Sequence, residues 1–137
     1  HIMDEYYERG KLQEEIIKKA VELGDGRNRQ YRVDSSAAGL IAGLRNAGLT
    51  AFGASSRVID GIAYIQNLLR VRGDGKPRLT VDPSCVNIIN EFESYIWKEG
   101  KDEPVKEFDH ALDALRYALY NKGTEIRVDA EISNYAR

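Results

Sequence analysis

The sequence predicts an α/β fold, because three consecutive stretches show a strand pattern, a helix pattern and a second strand pattern. Residues 31–34 and 49–53 are short β-type runs, and the segment between them is small, apolar and helical in character. A strand, a helix and a strand in this order favour parallel pairing of the two strands. At 137 residues, 42% of them hydrophobic, the chain is long enough to bury the core of one domain.

The first elements follow from local patterns. Residues 1–3 look like a remnant of cloning and carry no weight in the prediction of the fold. Residues 4–10 are short, aromatic and end at Gly10, so we expect the end of a strand there. Residues 11–23 repeat apolar side chains at helical spacing, which predicts an amphipathic helix that Gly24 stops.

The strand over residues 31–34 ends in an acid. Ser35 and Ser36 follow Asp34 and can cap the next helix, residues 37–47. Open α/β sheets place ligand sites at the carboxyl ends of their strands, so the Asp34 carboxylate is a candidate site residue. A helix cap is the other explanation of this acid, and the two roles can coexist.

Two long helices and a weak strand are predicted next. Residues 58–71 place their apolar side chains on one face of a helix, and residues 73–77 are a strong turn signal. Residues 78–82 resemble a brief strand, and Pro83 opens a helix that extends to about residue 98.

The C-terminal part holds the last predicted helix. A polar segment over residues 98–107 leads into this helix, which lies within residues 104–121. Residues 125–128 are expected to form one more strand before a polar tail.

Composition excludes several classes of protein. The net charge of −2 makes no overall case for nucleic acid, so a DNA partner would need a local basic patch or metal ions that shield an acidic site. Cys85 is the only cysteine, which rules out an intramolecular disulfide and predicts a small buried side chain. The sequence has no apolar run near the ~20 residues that span a bilayer, no phosphate-binding glycine loop and no zinc-binding pattern.

The last helix carries an acidic cluster. Asp109, His110 and Asp113 lie within one turn of each other, beside an apolar stripe. Carboxylate oxygens suit Mg²⁺ and Mn²⁺, so this cluster together with Asp34 could hold a divalent metal. Acids at a helix start also favour the positive end of the helix dipole, which is the alternative explanation.

Five basic residues are the nearest thing to a basic patch. They are Arg57, Arg70, Arg72, Lys76 and Arg78. These side chains could contact DNA phosphates, or they could be ordinary solvated surface charge.

Residues 109–119 read Asp-His-Ala-Leu-Asp-Ala-Leu-Arg-Tyr-Ala-Leu, and this segment resembles the C-terminal motif of the large-subunit terminases of tailed bacteriophages. Other stretches agree in order and spacing with the nuclease domain of that family: residues 4–11, 34–36, 58–62 and 91–98. The resemblance assigns residues 4–122 to a partial terminase nuclease domain and residues 123–137 to a C-terminal strand or tail.

The resemblance implies an RNase H-like fold, a mixed sheet flanked by helices, in which acids converge on two divalent ions, Mg²⁺ or Mn²⁺. It implies an endonuclease that cuts concatemeric double-stranded DNA by two-metal phosphodiester hydrolysis. By position, Asp34 resembles the second catalytic acid, and Asp113 resembles the acid on the final helix. His110 stands where some members use a histidine in the site, and Asp109 is a candidate auxiliary ligand.

The first catalytic aspartate and the ATPase domain of that family lie upstream of the matching segments. We therefore expect that the chain lacks the first strands of the sheet and is a weak or inactive nuclease by itself. An exposed sheet edge would favour a homodimer. The implied partners are double-stranded DNA, the ATPase domain, the small terminase subunit and the portal, in the cytoplasm of a bacterial host and away from membranes.

Two other functions are compatible with the sequence. One is a non-catalytic DNA-binding or assembly fragment whose acids cap helices. The other is a different RNase H-like nuclease such as a junction resolvase, which would prefer branched to linear duplex DNA.

Overall fold

The computed structural model describes residues 1–55, 57–95 and 109–120. Within these ranges the chain forms five helices and a two-stranded parallel sheet, which confirms the predicted α/β class. The elements in order are α1 (Gln13–Gly24), β1 (Gln30–Asp34), α2 (Ala38–Asn46), β2 (Thr50–Ala54), α3 (Val58–Leu69), α4 (Val86–Ser94) and α5 (His110–Tyr120). Three predicted features lie outside the described residues: the helix end near residue 98, the polar segment over residues 98–107 and the strand over residues 125–128.

The chain divides into two compact units. The helical unit consists of His1–Lys11 and Arg57–Arg116, and the sheet unit consists of Leu12–Ser56 and Tyr117–Arg137. Helix α5 contributes residues to both, because the boundary falls within it.

In the sheet unit, β1 and β2 pair in parallel. Gln30 lies opposite Thr50, and Asp34 lies opposite Ala54. Helix α2 connects the two strands, so the predicted unit of strand, helix and strand is confirmed. This register places Asp34 at the carboxyl end of the sheet, as the sequence predicts.

Helix α1 approaches α2 closely at a glycine. A Cβ atom on Gly43 would lie 2.5 Å from Cδ1 of Ile17, so a larger residue at that position would require the end of the Ile17 side chain to move. The hydroxyl of Tyr31 on β1 donates to the carbonyl oxygen of Ala20 on α1 at 2.8 Å. The small side chains of α2 therefore serve the packing of α1 as well as the sheet.

In the helical unit, apolar side chains from α3, α4 and α5 and from the connection before α4 form the core. The buried members are Ile65, Leu79, Cys85, Ile88, Leu112 and Leu115. Cys85 directly precedes α4 and is fully buried, which confirms the expectation for the single cysteine. None of the helices in the described ranges is long and apolar enough to cross a membrane.

The prediction that residues 4–10 form the end of a strand is wrong, because none of these residues lies in a strand. An isolated parallel bridge forms instead between Ile2 and Val81. The N–H of Ile2 donates to the carbonyl oxygen of Thr80 at 2.8 Å. The brief strand expected at residues 78–82 is reduced to this bridge.

The side chains of the N-terminal segment form hydrogen bonds with α4. The Glu5 carboxylate accepts the backbone N–H groups of Asn87 at 2.8 Å and Ile88 at 3.0 Å. The Tyr7 hydroxyl donates to Oε1 of Glu91 at 2.9 Å. These contacts hold the segment along α4.

Candidate functional site

Helix α5 begins directly after Asp109. The carbonyl oxygen of Asp109 accepts the N–H of Asp113 at 2.8 Å, as an N-cap residue does. Asp109 is buried, Asp113 is partly exposed and His110 is exposed. The two aspartates therefore lie one turn apart, as their spacing predicts.

The carboxylate of Asp113 is tied to Arg116. Nη2 of Arg116 donates to Oδ1 of Asp113 at 3.1 Å, and the side chains are 6% and 36% exposed respectively. A buried guanidinium needs an acidic partner, because an unpaired charge in the protein interior is costly. Asp113 thus has a structural role that sequence reasoning missed, although the spacing of three residues signals such a pair.

Tyr95 lies close to both aspartates of the α5 start. Burial raises the pKa of the Tyr95 phenol, and the negative charges of Asp113 and Asp109 raise it further. A cavity of about 230 Å³ between α3, α4 and α5 is lined by Tyr95, Phe92, Asp113 and Arg116 among others. Nothing in the sequence singled out this tyrosine beyond its place in one of the stretches that resemble terminases.

His110 lines a different cavity. This space of about 480 Å³ is bounded by N-terminal residues such as Glu5 and Tyr7 and by Ala111 and Ala114 of α5. Asp113 is not part of its lining. The structure therefore groups Asp109 and Asp113 near Tyr95 and places His110 among the N-terminal residues.

Asp34, in the sheet unit, is engaged on both carboxylate oxygens. Oδ1 accepts the backbone N–H of Ser36 at 2.9 Å and its hydroxyl at 2.8 Å. Oδ2 accepts the hydroxyl of Tyr117 at 3.3 Å.

The N-cap residue of α2 is Ala37 and has no side-chain cap, so the expected capping by Ser35 or Ser36 is wrong. The carboxylate of Asp34 forms the turn instead, because its oxygen reaches the N–H two residues ahead.

The same turn recurs at a second aspartate. Oδ1 of Asp82 accepts the backbone N–H of Ser84 at 2.9 Å and its hydroxyl at 2.7 Å, just before α4. Asp82 is not among the predicted site residues. The same bonds thus form before a helix where no site residue is predicted, so the bonds between Asp34 and Ser36 are not evidence for a ligand.

The predicted metal ligands are divided between the units. Asp34 belongs to the sheet unit, and Asp109, His110 and Asp113 belong to the helical unit. In the part of the chain that the structure describes, no three side chains of His, Cys, Asp or Glu form a group that could hold a metal ion. The donor type still suits Mg²⁺ or Mn²⁺, because the acids present oxygen ligands, and metal binding stays a prediction.

Three of the predicted DNA-binding residues come together in one turn after α3. The N–H of Arg72 donates to the carbonyl oxygen of Lys76 at 3.2 Å, which closes the turn. Arg78 donates to Oδ2 of Asp74 at 2.8 Å. This bond, followed by that from the N–H of Lys76, lowers the pKa of Asp74. We call residues 70–78 the basic turn.

The other two basic residues lie at the ends of α3. Arg70 is the C-cap residue of α3 and the first residue of the basic turn. Arg57 is the N-cap residue and pairs with Asp60 at 3.6 Å. A helix of 12 residues is roughly 18 Å long, so Arg57 is separated from the other four.

Solved structures of the large terminase from a thermophilic bacteriophage are similar to this chain. One crystal form has 30% sequence identity and a TM-score of 0.71 over 82% of this chain, and a second has 30% and 0.72 over 82%. A complex with ATP-gamma-S has 31% identity and a TM-score of 0.70 over 80%. The chain spans only 28 to 29% of the length of those terminase chains. No protein-family model and no curated protein matches the chain.

Proposed function

We propose that this chain is a segment of a phage DNA-packaging terminase large subunit and carries part of its metal-dependent endonuclease. Its substrate would be concatemeric double-stranded DNA, cut by hydrolysis of phosphodiester bonds. The observation that carries this proposal is the similarity in both fold and sequence to large terminases, at 30% identity over 82% of the chain. The acids at the start of α5 lie within the segment that resembles the terminase motif.

The nuclease part is favoured over the ATPase part by the sequence. Some of the similar terminase structures contain ATP-gamma-S or ADP. This chain has no glycine-rich loop of the form G-x-x-x-x-G-K-[ST], which would cradle the phosphates of a nucleotide. We therefore expect that nucleotide binding belongs to another part of the terminase.

The residues that we propose as ligands of Mg²⁺ or Mn²⁺ are Asp109 and Asp113 in the helical unit and Asp34 in the sheet unit. A bound ion of this kind would supply the chemistry that activates water for phosphodiester hydrolysis and stabilises the leaving oxygen. In this chain, the hydrogen bond from Arg116 holds one oxygen of Asp113 in a fixed direction, while the side chain stays 36% exposed. His110, the first residue of α5, is a further candidate of the site, and its side chain is exposed.

The basic turn supports contact with DNA. Its cationic side chains are exposed, and an acidic protein needs such a local patch to approach phosphates. We propose that Arg70, Arg72, Lys76 and Arg78 contact the backbone of the duplex, with Arg57 as a separate contact. The further partners that this function implies are the ATPase domain, the small terminase subunit and the portal, in the cytoplasm of the bacterial host.

A non-catalytic DNA-binding or assembly module is the second candidate. It is favoured by the finding that the carboxylates of Asp34 and Asp113 both serve hydrogen bonds within the fold. In that case the acids would give no response to metal. A junction resolvase is the third candidate and would show a preference for branched over linear duplex DNA.

Calorimetric titration of the purified chain with Mn²⁺ tests the proposal. We expect weak binding that Asp113→Asn abolishes, because affinity for a hard cation depends on the number of charged oxygen ligands. Asp74→Asn is the matched control, since it removes an exposed acid from the basic turn and leaves α5 unchanged. Equal binding by the wild type and Asp113→Asn, or no binding by either, would favour the non-catalytic module.

A further inference from the structure

Glu91 is a buried acid in α4 that no sequence motif assigned to the site. It is 4% exposed. Its Oε1 accepts the hydroxyl of Tyr7 at 2.9 Å, and its Oε2 accepts the backbone N–H of Leu112 at 2.9 Å. Acids are seldom this buried without partners, and here each oxygen has its own donor.

The bond to Leu112 caps α5 from another helix. Leu112 is the third residue of α5, and its N–H is one of the groups in the first turn that no carbonyl within the helix can accept. A carboxylate at this place does what a side chain at the N-cap normally does, and its charge favours the positive end of the helix dipole. Asp113 is the next residue, so the cap fixes the backbone that carries it.

The N-terminal segment applies the same device to α4. The Glu5 carboxylate accepts the N–H groups of Asn87 and Ile88 in the first turn of α4, as well as Nδ2 of Asn87 at 2.9 Å. Tyr7 then donates to Glu91, which lies one turn further along α4. The Glu5 carboxylate thus connects the N-terminal segment to α4, and the Glu91 carboxylate connects α4 to α5.

We propose that Glu91 is a positioning residue. Its carboxylate fixes the N-terminal turn of α5 and thereby the orientation of the Asp109 and Asp113 carboxylates. The part of this inference that concerns the acids rests on the proposed function. The capping of α5 by Glu91 does not depend on it.

Hydrogen exchange at the Leu112 amide tests the capping. Glu91→Asp keeps the charge but withdraws the carboxylate by about 1.5 Å, the length of one carbon–carbon bond. Glu91→Gln loses the charge but keeps an oxygen at full reach, while its amide group can donate to the oxygen of Tyr7. We expect exchange at Leu112 to rise on the order of tenfold in Glu91→Asp and by no more than about threefold in Glu91→Gln, which loses the charge but keeps the accepting oxygen.

Two comparisons separate capping from general destabilisation. The Leu115 amide lies in the body of α5, so its exchange should change much less than that of Leu112 in Glu91→Asp. Tyr7→Phe removes the other donor to Glu91 and should leave the exchange of Leu112 within about twofold of the wild type. An equal rise at Leu112 and Leu115, or no rise at either in Glu91→Asp, overturns the proposal.

Mn²⁺ binding tests the positioning of the acids. Glu91→Asp should weaken the affinity for Mn²⁺ several-fold when samples with the same fraction of folded protein are compared. Glu91→Gln should retain the wild-type affinity. A wild-type affinity in Glu91→Asp would refute the positioning role. If the wild-type chain itself gives no response to Mn²⁺, the proposed function fails, whereas the exchange rate of Leu112 still decides whether Glu91 caps α5.

Discussion

The hydroxyl of Tyr117 donates a hydrogen bond of 3.3 Å to Oδ2 of Asp34. Within the sheet unit, this bond joins the second half of α5 to the carboxyl end of β1. The other oxygen of Asp34 holds the turn at Ser36. A single carboxylate thus connects a strand end, a helix start and a distant helix.

These bonds make Asp34 a stability residue as well as a candidate ligand, and two substitutions separate the roles. Asp34→Ala should lower the free energy of unfolding by about 1 kcal/mol in urea titrations, as the loss of a capping side chain does. Asp34→Asn keeps an oxygen for the N–H of Ser36 and should cost less. If Asp34 is also a metal ligand, Asp34→Asn should weaken Mn²⁺ binding despite near-normal stability. Normal Mn²⁺ binding by a folded Asp34→Asn protein would leave Asp34 with the structural role alone.

The Glu5 carboxylate predicts a dependence of stability on pH. Burial raises the pKa of Glu5, but the hydrogen bonds from Asn87 and Ile88 together lower it below the ordinary value of 4.5. A carboxylate with a lowered pKa in the folded state stabilises the protein above its unfolded pKa, and this stabilisation is lost as pH falls through the folded value. Glu5→Gln should therefore be less stable than the wild type at pH 7, and the difference in free energy of unfolding should shrink below about pH 4.5. A difference that stays constant from pH 7 to pH 3 would contradict this origin.

Two alanine substitutions on α4, one at a buried and one at an exposed position, test how much burial in the core of the helical unit contributes to stability. Ile88 is 5% exposed, whereas Val86, two residues earlier, is 54% exposed. Ile88→Ala should cost about 2–5 kcal/mol, because it removes buried methyl groups and leaves a cavity. Val86→Ala should change the free energy of unfolding by about 0.5 kcal/mol, as surface substitutions usually do. Similar losses in both variants would contradict the different burial of Ile88 and Val86.

The basic turn predicts a DNA affinity that depends on salt. Replacement of Arg72, Lys76 and Arg78 by Ala together should weaken binding to duplexes of unrelated sequence by a similar factor. The slope of log affinity against log salt concentration should become shallower by about one for each phosphate contact that is lost. Lys18→Ala removes an exposed charge from α1 and should leave the slope unchanged. An unaltered slope in the triple variant would exclude the basic turn from the interface.

Prediction from sequence was most successful where one element depends on its own neighbours in the chain. The apolar spacing of α1, α3 and α4 and the small residues of α2 were sufficient to predict these helices, because periodicity of 3.6 residues is a local property. Parallel pairing of β1 with β2 followed from the connection through α2. Two predictions failed. Ser35 and Ser36 do not cap α2, and the aromatic residues 4–10 do not form the end of a strand.

Local sequence was enough to specify the α/β class, the order of the elements, and the places of Asp34 at the end of a strand and Asp113 near the start of a helix. The partners of those acids emerge only in the folded chain: Tyr117 for Asp34, buried Arg116 for Asp113, and the carboxylate of Glu91 for the start of α5. Glu91 and Tyr7 are 84 residues apart in sequence. No local pattern encodes such a pair, because the pair forms only when α4, α5 and the N-terminal segment pack together. The Glu91 carboxylate needs hydrogen bonds to both of its oxygens because this packing removes it from water.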